Sequence, residues 1–245
     1  MTEDELERAV VALQDRQAIL DCLMNYSRGV DRLDRELLLS VYHEDAIDDH
    51  GMFVGDREEF ADWVIQMHST THLSHQHCLF NHTCDLDGDV AHTETYYMFV
   101  GMNREGEPLV MSGGRYLDRF EKRAGRWAIA HRICVRDWAP LPEQPDFDDP
   151  STLTAIRAVL PEAVREFMRT GPRVTRDRRD PSYDRPLTSD PERLRRSRDL
   201  RSSEEAGQAG EIRAVDVGPD QAEVLEPARR HDAVPLRPLD LPMDR

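Results

Sequence analysis

Three histidines, His72, His75 and His77, crowd the segment His72-Leu73-Ser74-His75-Gln76-His77-Cys78-Leu79-Phe80-Asn81, and His82 follows directly. Imidazole is the side chain best suited to moving a proton near neutral pH. Alternate side chains of a strand share a face, so an inward His77 brings Leu79 and Asn81 with it. That arrangement sets a base at the mouth of an apolar pocket, with an amide deeper in to orient a substrate. Such a base needs a carboxylate to fix its tautomer and stabilise its charged form. Asp31, after the run Asn25-Tyr26-Ser27-Arg28-Gly29-Val30, can supply one. Tyr26 lies a little more than one helical turn before Asp31, so its hydroxyl can reach the same cavity. Each residue also has a duller reading. Asp31 can be a loop carboxylate paired with Arg28 or Arg32, Tyr26 a core aromatic with a wet tip, and any one strand histidine merely structural.

Other residues compete for the chemistry. His75 and His77, joined by Asp48 or His50, are the ligand types of zinc or iron. However, neither HExxH nor a facial-triad spacing occurs, and no metal is expected. Arg132 shares a strand face with Ala128, Ala130, Cys134 and Trp138, so it should be paired with a carboxylate or face a ligand oxygen. In the preceding strands Glu94, Tyr96 and Met98 share one face, while Thr95, Tyr97 and Phe99 share the other. Tyr42, His50, Trp63 and Tyr96 complete the candidate substrate-binding set with Asn81.

Composition narrows the class. A net charge of −16 argues against nucleic acid or an anionic membrane as partner. Lys122, the only lysine, falls in a hairpin turn, which disfavours Schiff-base chemistry. The four cysteines form no CxxC pair, so reduced thiols and a cytoplasmic location are expected.

The positioning elements follow from periodicity. Helical spacing predicts a helix from residue 3 to about 29 with Val10, Leu13, Ala18, Leu20, Leu23 and Met24 as its stripe. A second runs from about Asp34 through Tyr42, and Ala46–His50 reads as a short strand. Asp56 caps a third helix, from Arg57 to about His68, whose stripe includes Phe60, Trp63, Val64 and Met67. The period then becomes two. Long strands at His75–Asp85, Val90–Met102, Leu109–Glu121 and Trp127–Trp138 are punctuated by hairpin turns. Helices followed by a meander predict an α+β fold: a cone-shaped barrel with three N-terminal helices on a curved, mainly antiparallel sheet, plus a long C-terminal extension. The expected divisions are 1–140 for this domain, 141–185 for a proline-rich arm with a short helix at Ser151–Met168, and 186–245 for a disordered tail.

Several short motifs add a resemblance. Tyr26-Ser-Arg-Gly-Val-Asp31, Val41-Tyr42-His43-Glu44-Asp45-Ala46, His77-x-x-x-Asn81, Asp87-Gly88-Asp89, Gly114-Arg115-Tyr116-x-Asp118 and Trp127-x-Ile129-x-His131-Arg132 occur in one order. Together they resemble the SnoaL-like branch of the nuclear transport factor two-like superfamily over about residues 8–138. That branch includes scytalone dehydratase, hexachlorocyclohexane dehydrochlorinase and bile acid 7-alpha-dehydratase, which use a His–Asp dyad for elimination. The resemblance implies His77 and Asp31 as the dyad, Tyr26 and Arg132 as polarising groups, Asn81 as substrate contact, no cofactor, and a homodimer or trimer built on the outer sheet face. One position departs: where the bile acid enzyme has a further catalytic aspartate, Phe99 stands, so the donor to the leaving group is unassigned. The implied activity is a cofactor-independent lyase, dehydratase-type, acting on a small hydrophobic carbonyl-containing, polyketide or steroid-like compound. A cyclase or ketosteroid-type isomerase on the same fold is the alternative, and a non-catalytic binding or dimerisation module a third.

Overall fold

In a computed structural model, residues 1–106, 108–139, 171, 175 and 177–214 are described. Met1–Ala206 form one compact unit, and Gly207–Arg245 a separate one. The first helix, α1 (Glu3–Arg32), opens with a capping box between Thr2 and Glu5 and ends at Leu33, whose left-handed φ of 54° turns the chain. Its buried residues, Ile19, Cys22, Leu23, Tyr26, Ser27, Gly29 and Val30, all lie in the second half. Val10, Leu13 and Met24, expected in the stripe, are exposed instead. Helix α2 (Arg35–Ser40) is capped by Asp34 and is shorter than its apolar spacing suggests. Strand β1 (Tyr42–Asp49) takes over at Tyr42 and is followed by β2 (Val54–Asp56). Helix α3 (Arg57–Thr71) begins with a second capping box, Asp56 with Glu59.

Strands β3 (His72–Asp87), β4 (Val90–Asn103), β5 (Leu109–Arg123) and β6 (Arg126–Trp138) form an antiparallel meander. The sheet order is β2-β1-β6-β5-β4-β3, with β1 parallel to β6. The sheet is curled and unclosed, and the helices pack into its concave side over a core that includes Leu23, Tyr26, Phe60, Tyr116 and Ile129. Where the β5–β6 register shifts between Gly113 and Gly114, β6 comes so close that a Cβ on Gly114 would sit 2.0 Å from the Val135 carbonyl oxygen. Only glycine fits there.

Two bulges reset the alternation of β3. Between Leu79 and His82 this strand advances three residues while β4 goes only from Tyr97 to Thr95. The extra residue flips the facing of everything beyond it.

The extension is ordered where it meets the sheet. Helix α4 (Pro191–Ala214) lies in the range expected to be a structureless tail. Leu187, 2% exposed, closes a small cluster with Leu117, Ile133 and Val135 on the outer sheet face. Arg115, on that face, binds Asp180 through two nitrogens at 2.9 and 3.0 Å, and Arg193 binds Asp49. Buried carboxylate–guanidinium pairs supply what a segment poor in apolar residues lacks. The Ser151–Met168 helix lies outside the described residues.

Candidate active site

The cone holds a cavity of about 210 Å³ that is open on one side. His50, Trp63, Met67, His68, His72, His77, Tyr97, Phe99, Met111 and Cys134 are among its lining residues. His77 reaches it from β3, the edge strand, and Asp31 from the last turn of α1. The His77 Nδ1 and Asp31 Oδ1 are 2.7 Å apart. The backbone N–H of His77 donates to both carboxylate oxygens, at 3.1 and 3.0 Å. Asp31 is thereby held in one orientation by the strand that carries its partner, and Nε2 is the ring nitrogen available to the cavity. Burial pushes the His77 imidazole below its ordinary range, against the pull of Asp31. A neutral imidazole with an anchored Nδ1 is the form that accepts a proton.

Next to this pair stand three more imidazoles. His75 Nε2 donates to the Val30 carbonyl at 3.1 Å and lies 3.8 Å from Asp31 Oδ1. His68 and His72 meet Nδ1 to Nδ1 at 3.2 Å. Burial, with the charges of the other histidines, takes His68 down to about 2. His68, His72 and His75 bring ring nitrogens within 4.8 Å of one another, the donor type zinc prefers. Yet His68 and His75 stack nearly parallel, 12° apart with centroids at 4.0 Å, so their in-plane lone pairs do not converge on one ion.

On the far wall His50 repeats the pattern. Its Nδ1 is 2.9 Å from Oδ1 of Asp48, whose side chain is fully buried. The Tyr42 hydroxyl donates to the other Asp48 oxygen at 2.6 Å. Burial alone would depress His50, but the Cys134 sulfur and Asp48 outweigh it and raise it to about 10.

A family model described as the SnoaL-like domain matches residues 11–133. The chain belongs to this SnoaL-like family. No functionally curated protein matches it in sequence. Among solved structures, a hexachlorocyclohexane dehydrochlorinase LinA-type3 from Novosphingobium barchaimii LL02 superposes with a TM-score of 0.52 at 20% identity, covering 58% of this chain and 99% of that one. A type 2 LinA dehydrochlorinase gives a TM-score of 0.52 at 19% identity, over 58% of this chain and 98% of that one. These likenesses show a shared fold.

Within this SnoaL-like domain the structure sorts the expected site residues. His77 and Asp31 meet, and His50 and Trp63 line the cavity with His77. Arg132 is drawn elsewhere. It is fully buried, with Nε and Nη2 on the two Asp118 oxygens at 2.6 and 2.8 Å, and its guanidinium lies over the rings of Tyr26 and Tyr116. The paired-carboxylate alternative for Arg132 therefore describes it, and it is not among the lining residues. Tyr26, 1% exposed, packs in the core beneath that guanidinium. Tyr42 sits behind the wall, reaching the site only through Asp48. Asn81 is exposed because the β3 bulge turns it outward. Tyr96 is 45% exposed, and its neighbours Tyr97 and Phe99 face the cavity. Sequence reasoning missed His68 and Cys134; for His68 the signal was its place one turn after Val64 on the apolar stripe of α3.

Proposed function

We propose that the protein is a cofactor-independent lyase. It removes a proton from carbon beside a carbonyl, and a β-substituent then departs. The observation that carries this is the His77–Asp31 pair, anchored at 2.7 Å and opening on a mostly apolar cavity. His77 Nε2 takes the proton, and Asp31 stabilises the imidazolium that forms. Apolar walls of Trp63, Met67, Phe99 and Met111 exclude water and strengthen the electrostatics of the pair. The names of the superposed dehydrochlorinases agree with elimination chemistry.

The cavity also bounds the substrate. At about 210 Å³ it is smaller than the ~300–1,000 Å³ typical of pockets for drug-sized ligands. A one- or two-ring skeleton suits it better than a four-ring one. The test is turnover of β-substituted ketones by the wild type, His77→Ala and Asp31→Asn, following product by mass. Both variants should fold and lose activity. Undiminished rates in either end the proposal, and substrate isomerised without loss of the β-group points to an isomerase.

A further inference from the structure

The base just proposed leaves half of an elimination without a residue, because something must protonate a poor leaving group. The cavity contains a second imidazole in the same kind of mount. His50 follows β1 near one end of the sheet order, and His77 lies on β3 at the other end, so only the curl of the sheet brings both to one cavity. Each ring commits Nδ1 to its own carboxylate, so Nε2 is the nitrogen for chemistry, with the Cys134 sulfur also within hydrogen-bonding reach of the His50 ring. Asp48 is locked from its other side by the Tyr42 hydroxyl, so the His50 ring is held as firmly as that of His77. We propose that His50 is the general acid of this site and that the leaving group is hydroxyl, making the substrate a β-hydroxy carbonyl compound. This rests on the elimination reading above.

The step balances without a cofactor. His77 Nε2 takes the proton of the α-carbon, and the C–H electron pair becomes the new C=C bond. The C–O bond breaks with its electrons, and the oxygen takes the proton from His50 Nε2 to leave as water. His50 ends neutral and His77 charged, and solvent exchange restores both. A halide or phenolate needs no such donor, so an imidazole mounted in the wall to give up a proton suits a poor leaving group. The charges around the two rings differ in the direction this division of labour requires. His50 faces the Cys134 sulfur from β6 and the Asp48 carboxylate from β1, both of which favour its charged form. His77 faces Asp31 from α1 but also His75 and His50, both of which oppose its protonation. Two like groups whose surroundings push them apart are the usual mark of an acid and a base in one site.

The probes are a β-hydroxy-β-phenyl ketone and the matching β-(para-nitrophenoxy) ketone, which share the acidic carbon and differ in the leaving group. His50→Gln should lower kcat on the hydroxy ketone by about 10²–10⁴ more than it lowers kcat on the nitrophenoxy ketone. His77→Ala should lose both. Equal losses on the two ketones in His50→Gln, or none on either, overturn the acid role while leaving the base intact. A wild type inert toward both refutes the elimination reading, and the acid role with it. Imidazole nitrogen NMR gives an independent check on the wild-type protein: His50 should carry both ring protons at neutral pH and lose one on Asp48→Asn. A His50 already neutral at pH 7 overturns the proposal whatever the ketones do.

Discussion

Replacing Asp31 by Asn isolates the contribution of charge to the base, because the side chain keeps its size and one carbonyl oxygen. That oxygen can still accept the His77 backbone N–H, which now shares both carboxylate oxygens at 3.0 and 3.1 Å. The contact with Nδ1 at 2.7 Å then meets either an amide N–H or an uncharged oxygen. Two unit charges at that separation attract by about 6 kcal/mol at an effective dielectric of 20, which is a ceiling on what Asp31 gives the imidazolium. Desolvation takes back part of it. A loss of about 10²–10⁴ in rate, or about 2.7–5.4 kcal/mol, is therefore expected. Stability should fall by only about 1–3 kcal/mol, the cost of one weakened charge-assisted hydrogen bond. The assay is exchange of the α-proton of a ketone probe in deuterated water, which reads proton removal whether or not a group departs. Exchange within about threefold of wild type, in a variant with an unchanged circular dichroism spectrum, would refute the reasoning.

The remaining expectations concern stability. Asp118→Asn should destabilise by about 3–5 kcal/mol in urea unfolding because it strands the fully buried Arg132 charge, whereas a combined Asp118→Leu, Arg132→Met change should recover much of the loss. An equally damaged double variant contradicts that account. Leu187→Asp should speed amide exchange across residues 180–201 and leave β3 and β4 protected, since Leu187 packs on the outer-face cluster with Leu117, Ile133 and Val135. A uniform rise throughout the sheet would show that the strap is part of the core. Acid should weaken the fold through His68, whose folded value of about 2 lies below that of the unfolded chain. As pH falls below about 6.5 the unfolded chain takes a proton that the folded one refuses, costing at most about 1.4 kcal/mol per pH unit. His68→Phe should flatten this limb of the stability profile, and an unchanged slope would remove His68 as its cause.

The resemblance places oligomers on the outer sheet face, where Leu187 packs on Leu117, Ile133 and Val135 and Arg115 is bound to Asp180, Asp137 and Glu94.

What the sequence determined by itself is local. Capping residues Thr2, Asp34 and Asp56 start the helices, turn residues end the long strands, and period-two alternation brings His75 and His77 inward. These depend on a few neighbouring residues, and so does the position of Asp31 in the last turn of α1. Tertiary structure decided the rest, for two physical reasons. One inserted residue in β3 reverses every later side chain, which put Asn81 outside, and no local signal marks a bulge. Pairings between distant strands depend on how far the sheet curls. The register of the β5–β6 hairpin set Arg132 opposite Asp118 rather than toward a substrate, and the curl carried His50 on Asp48 across the sheet to the cavity that His77 lines.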